Sequence, residues 1–212
     1  RDHAPSAASP YAVFLDQNLV ERHDFLVTGT PAYVTGAKYY PAMNRFFDWF
    51  KRKTGLPVVI AGHPKSSYST DHSPYEGKRF VLADSARLIQ GATIVFGHYS
   101  TGLSLPVLWN KPVLFLTTDE LMASRFQAYV DAYREDLGAA MLNVDDFQET
   151  ELDWESWLKV SPPHYALFKA RYIKVPGTKE APLWEIFTEA VNGGLSVKTR
   201  SGTDDWFVKQ TL

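Results

Sequence analysis

A histidine and a lysine follow a run of apolar, mostly β-branched residues in the stretch Val58, Val59, Ile60, Ala61, Gly62, His63, Pro64, Lys65. An imidazole and an ammonium group at the end of a buried strand can hold an anion, the first by donating a hydrogen bond and the second by its charge. Pro64 fixes the exit of the chain. The stretch 93–101, TIVFGHYST, repeats the arrangement: a buried strand, a glycine, then polar donors opening a helix. Ser100, Thr101 and Gly102 stand at that handover, where the first helical N–H groups lack partners and, with the two hydroxyls, suit an anion. In open α/β sheets ligands lie just past the carboxyl ends of the strands, so the two stretches point to one anionic ligand held between them. Each also has a plainer reading. His63 can be a loop histidine satisfied by backbone with Lys65 in solvent, and Ser100 or Thr101 an ordinary N-cap. His98 suits a structural or loop role.

A third strand end carries Asp16, Gln17 and Asn18 after the apolar run 11–15, YAVFL. Asp and Asn favour turns. If this strand neighbours the one before His63, Asp16 or Gln17 instead faces the ligand. Other chemistries lack their residues. There is no Walker-type phosphate loop and no GxGxxG after the first strand, so ATPase and dinucleotide readings have no motif. No GxSxG elbow supports a hydrolase. The six histidines form no HxH or HxxxH pair, and with no cysteine there is neither a thiolate site nor a disulfide. No metal or other cofactor is expected. Trp154 and Trp157 stand at helical spacing and read as core. Asp145, Asp146, Glu149, Glu151, Asp153 and Glu155 read as a solvated loop and helix start.

The elements that must position these groups alternate. Helical periodicity over 37–54 (Tyr39, Tyr40, Met43, Phe46, Phe47, Phe50) ends in Lys51, Arg52 and Lys53, which suit the negative end of the helix dipole, and in Gly55, a terminator. The basic cluster therefore reads as capping and solvated surface. A turn-rich loop spans 66–79, and its length invites a binding role. A short strand at 80–82, a helix at 83–90, a strand at 93–96, a helix at 100–109 shortened or bent at Pro106, and a strand at 113–116 follow. A long amphipathic helix is expected over 118–137, capped by Thr118, and a last short strand over 139–142. Helices are expected over 147–158, 162–172 and 183–191. Continuously apolar strands are those covered on both faces, so the fold class is α/β, a Rossmann-like layered domain with a mainly parallel sheet and a helical C-terminal section. Residues 1–10 read as a linker or arm, 11–191 as the Rossmann-like domain, and 192–212 as a tail with a hairpin about Ser201-Gly202.

Among 212 residues the net charge is -2 with no long run of one sign, which gives no global attraction to nucleic acid or an anionic membrane. No apolar run approaches the ~20 residues that span a bilayer, and the N-terminus is not a signal peptide. The chain begins at Arg1, as expected of a processed chain or a piece of a longer one.

The His-Pro pair after a buried strand (His63, Pro64), the Ser/Thr pair opening a helix (Ser100, Thr101) and Lys111-Pro112 before the next strand resemble the C-terminal half of GT-B glycosyltransferases. The likeness is to bacterial users of CMP-sugars, the sialyltransferases and Kdo transferases of capsule or lipopolysaccharide assembly, and covers residues 11–191. It implies that His63, Pro64, Lys65, Ser100, Thr101 and Gly102 bind the CMP part of a donor, with Asp16 and Gln17 near the sugar. It also implies a glycan acceptor on a surface polysaccharide or lipid-linked glycan, no metal, and a cytoplasmic place, peripheral to the inner membrane. A GT-B enzyme has two such domains and this chain has room for one, so the acceptor domain is expected on a missing N-terminal part or a partner chain, and the general base with it, with Asp16 as the candidate within this chain. CDP-polyol phosphotransferases share a similar His-Pro and Ser pattern and stand as the alternative, beside a non-catalytic binding or interaction module.

Overall fold

The computed structural model describes residues 9–21, 29, 31–69, 72–149 and 152–193. Six parallel strands form one sheet: β1 (Ala12–Leu15), β2 (Val58–Ala61), β3 (Arg79–Val81), β4 (Ile94–Gly97), β5 (Val113–Thr117) and β6 (Ala140–Asn143). They lie in the order β3-β2-β1-β4-β5-β6, with β1 paired to β2 on one side and to β4 on the other. This is the strand order of the doubly wound fold, and its order reverses between β1 and β4. All residues of β1, β2, β4 and β5 are buried, which is why they read as unbroken apolar runs. The expected α/β layering with a parallel sheet is what the chain adopts.

One face of the sheet is covered mainly by α1 (Gly36–Thr54). Phe46, Phe47 and Phe50 pack on Phe14 and Phe96 of the strands, and Phe147 and Trp157 close over the helix from the far end of the chain. The helix stops where expected: Gly55 takes a left-handed φ of 75° and its N–H bonds Lys51 O. The other crossovers are α2 (Ser85–Gly91), a 3-10 turn (Thr101–Leu103) running into α3 (Ser104–Leu108), then α4 (Asp119–Met122) and α5 (Gln127–Leu137). The chain steps one way across the sheet from β1 to β3 and the other way through β4, β5 and β6, so right-handed crossovers between these parallel strands put the later helices on the second face. There α6 (Pro162–Phe168) and a π-helical turn (Lys169–Ile173) also pack.

Two expectations about helices change. The helix foreseen over 118–137 is two, because Ser124 breaks it: its hydroxyl bonds Leu121 O and accepts from Phe126 N. The described residues of the stretch 147–158 hold only a 3-10 turn, Trp154–Leu158, entered through Asp153. The helix about Pro106 is short, as its proline suggests. Between β2 and β3 the described residues form no helix, and a loop takes its place.

The chain divides into two compact units, Arg1–Val175 and Pro176–Leu212. Within the second, α7 (Leu183–Asn192) carries an edge-to-face Trp184–Phe187 pair and an ion pair from Glu189 to Lys179. The hairpin expected in the tail falls outside the described residues. No helix among the described residues is long and apolar enough to cross a membrane.

Candidate functional site

Parallel strands deliver their carboxyl ends to one edge of the sheet, so the residues after β1, β2 and β4 gather there. Asp16 N–H bonds Ala61 O across the β1–β2 boundary, and β1 does neighbour the His63 strand. But β1 also lies between β2 and β4. His63 and Ser100 are therefore two strand spacings apart, about 10 Å, with Asp16, Gln17 and Asn18 between them. A single phosphate cannot touch both; a nucleotide can span them.

His63 is half-buried, while Pro64 and Lys65 are exposed. The Lys65 backbone N–H donates to His63 Nδ1 at 3.2 Å, which leaves the proton of a neutral ring on Nε2. Behind the turn, Gly62 has no room for a side chain: a Cβ there would lie 2.3 Å from Phe80 Cζ. Ser100 accepts from Gly102 N–H at 3.1 Å and so caps the 3-10 turn, the plainer of its two readings. Thr101 is exposed and Gly102 half-buried beside Leu15. Gln17 is buried and its Oε1 accepts the Tyr99 N–H at 2.9 Å, so its carbonyl bridges the reversal point.

Asp16 is the centre of a network that sequence reasoning missed. It is 7% exposed, and its Oδ1 accepts from the Tyr75 hydroxyl at 2.8 Å and from the Asn18 N–H at 3.1 Å. Burial raises its pKa, partly offset by those two bonds and by the His63 backbone N–H. Tyr39 and Tyr75, both fully buried in the same cluster, are held well above the ordinary phenol value by burial and by the charge of Asp16. Tyr40 and Tyr68 share a hydroxyl–hydroxyl bond of 3.0 Å at its rim, and burial pushes Tyr68 up to about 12. Tyr75 and Tyr68 come from the long loop between β2 and β3, so hydroxyl groups fasten that loop to α1 and β1. Their sequence signal was four tyrosines, which helical spacing and turn composition absorbed as core and loop.

His98, at the end of β4, is fully buried. Its Nδ1 bonds Leu116 O at 2.7 Å, so Nδ1 carries the proton and Nε2 accepts from the Tyr39 hydroxyl at 2.8 Å. Burial pushes its pKa down to about 4, and it stays neutral as a structural histidine.

A cavity of about 630 Å³ opens at the same edge, beside the N-terminus of α1, lined by Pro31–Thr35 and by Glu120, Ala123, Ser124 and Arg125. The Glu120 carboxylate accepts the Thr35 N–H at 2.6 Å and its hydroxyl at 3.0 Å, with Lys38 at 3.2 Å. The Thr35 N–H, first, and then Lys38 and the Thr35 hydroxyl hold its pKa down. In folds of this strand order the first helix commonly offers its N-terminus to a phosphate. Here a carboxylate of the chain itself stands there. The partners are 85 residues apart, so no local pattern announces them. Among the described residues no group of three or more acidic, histidine or cysteine side chains is placed to hold a metal.

No family model matches the chain, and no curated protein matches it. Among solved structures it is similar to the glycotransferase of kitacinnamycin, with 9% identity over 80% of this chain and 40% of that one, at a TM-score of 0.46. It is also similar to the spinosyn forosaminyltransferase SpnP, with 15% identity over 76% of this chain and 38% of that one, at a TM-score of 0.41. The chain spans about two fifths of the length of each.

Proposed function

We propose that the chain is the nucleotide-sugar-binding domain of a glycosyltransferase, taking a CMP-activated sugar such as sialic acid or Kdo for transfer to a surface polysaccharide or lipid-linked glycan. The observation that supports this reading is the gathering of His63, Asp16 and Ser100 at three adjacent strand ends of a doubly wound sheet, where its order reverses and ligands of this fold lie. His63 donates from Nε2 to a phosphate oxygen and Lys65 adds charge. Ser100, Thr101 and Gly102 take the other end of the nucleotide. These groups stabilise the charge that builds on the departing CMP, which is where electrostatic help acts in such a transfer. The acceptor site and general base lie on a further domain or partner chain, and no metal enters.

The test is calorimetry with CMP, CDP, UDP, GDP and ADP, on wild type and on His63→Ala. CMP binding that His63→Ala weakens about tenfold or more, with the fold intact by circular dichroism, is the expected result. Unchanged affinity removes His63 from the site, and a preference for UDP or GDP keeps the transferase domain but changes the donor.

A second reading, a non-catalytic interaction module, draws on the local contacts that occupy Gln17 and Ser100. It predicts binding of none of the five nucleotides.

A further inference from the structure

Two oxygen atoms at the end of β1 are buried and have no hydrogen-bond partner among the described residues: Asp16 Oδ2 and Asn18 Oδ1. Buried polar groups are paired as a rule, and an unpaired one in a native fold calls for an occupant. Both residues are almost wholly enclosed, at 7% and 5% exposure. Their other polar contacts are made within the fold: Asp16 Oδ1 by Tyr75 and by the Asn18 N–H, while the His63 backbone N–H lies close enough to favour the carboxylate without making a hydrogen bond of good geometry to Oδ2. Asn18 holds a left-handed φ of 49°, so its side chain is set by a strained turn rather than by an extended strand. Gln17, between them, has spent its carbonyl on Tyr99.

With Asp16 ionised, both orphan atoms are acceptors. An anion brought to them would set oxygen against oxygen. The flanking strand ends carry the opposite character, with the His63 ring proton on one side and the Ser100 hydroxyl on the other. The edge of the sheet is thus sorted into an acceptor centre and donor flanks. We propose that the end of β1 is a subsite for a hydrogen-bond donor of the ligand, a hydroxyl or an amine, received by Asp16 Oδ2 and Asn18 Oδ1, and that the phosphate lies to its side. The inference rests on the nucleotide-sugar reading above and narrows it. A sugar or ribose hydroxyl and the exocyclic amine of cytosine share the required chemistry; the 4-oxo group of uracil does not.

Asp16→Asn tests this without disturbing the network. Its Oδ1 must still receive Tyr75 and Asn18, so the new NH₂ takes the place of Oδ2 and turns an acceptor into a donor. Asn18→Gly removes the second oxygen and suits the positive φ. Calorimetry compares the wild type and both variants against cytidine monophosphate, uridine monophosphate and ribose 5-phosphate. Since a hydrogen bond to a charged group is among the stronger ones, Asp16→Asn should weaken a donor-bearing probe about tenfold or more. If the amine is the group received, the loss is confined to the cytidine probe and the uridine probe binds the variant at least as well as the wild type. If a ribose hydroxyl is received, all three probes lose alike. Equal affinity in wild type and both variants, for any probe that binds, overturns the subsite and leaves the nucleotide reading standing. If no probe binds, the nucleotide reading falls and the subsite is judged by the Asp16 ¹³Cγ resonance under ammonium chloride against tetramethylammonium chloride. A shift with ammonium alone upholds the donor subsite, and identical responses overturn it.

Discussion

Tyr75→Phe removes one oxygen atom from the middle of the buried network and leaves the ring in place. Tyr75 is 1% exposed, so water cannot replace the lost hydroxyl. Its bond to Asp16 Oδ1 is 2.8 Å long, and the Asn18 N–H at 3.1 Å remains as the other partner of that oxygen. When Asp16 is protonated the lost bond is a neutral one, worth about 1 kcal/mol; when Asp16 is ionised its acceptor is a carboxylate, and such bonds are worth about 1.5–3 kcal/mol. Burial raises the Asp16 pKa above the ordinary 3.8. The folded state therefore holds this proton more tightly than the unfolded chain, and Asp16 subtracts stability as pH rises from the ordinary carboxylate value through its folded value. Tyr75→Phe takes away a contact that favours the charged form, so its cost grows over the same rise. Urea unfolding at several values from pH 4 to pH 9 should give a loss of about 1 kcal/mol in acid, increasing toward about 2 kcal/mol in base. Tyr165→Phe is the control, since that hydroxyl bonds the Lys111 carbonyl at 2.7 Å with no carboxylate involved. A Tyr75→Phe profile as flat as the control's, or a loss largest in acid, would refute the reasoning.

Two further outcomes follow from the same edge of the sheet. His98 is neutral in the fold with a pKa lowered from 6.5 to about 4, a difference of about 3 kcal/mol; its contribution is present above pH 6.5 and is lost as pH falls toward 4, opposite in sign to Asp16. His98→Gln should abolish that acid slope in pH-dependent urea unfolding, and a slope that survives the substitution would assign it to other groups. Gly62→Ala sets a methyl group 2.3 Å from the Phe80 ring, an overpacking that costs about 1–3 kcal/mol; a thermal midpoint equal to wild type would mean that Phe80 swings aside freely.

The sheet was legible because its strands are apolar on both faces: Val58–Ala61, Ile94–Gly97 and Val113–Thr117 have no polar side of their own to confuse with a helix. The period of α1 and its Gly55 stop were legible for a like reason, since both are local. What the sequence hid depends on distance or on a single hydroxyl. Apolar residues continue at helical spacing through Leu121, Met122, Phe126 and Val130, yet Ser124 breaks the helix by competing for its backbone. The strand ends were legible as places but not as chemistry. Asp16 was read beside a ligand without the Tyr75 that holds it, because the loop and the strand are 59 residues apart. The Glu120 contact at α1 was invisible for the same reason.

The partners of α1 have a consequence for how the chain reaches this fold. Tyr39 waits for His98, Thr35 for Glu120, and Arg45 for the Val144 carbonyl, at separations of 59, 85 and 99 residues. The helix is made early in the sequence and satisfied late. A growing chain that has emitted this sheet only as far as β2 exposes the phenylalanine face of α1 with nothing of its own sheet to cover it but two strands. Loops of that length must close before their contacts repay the entropy, which places this topology among the slower folders. The segment from β1 to β2 is the one in which a chaperone has most to shield, and the arrival of β4 and β5 is the event that releases it.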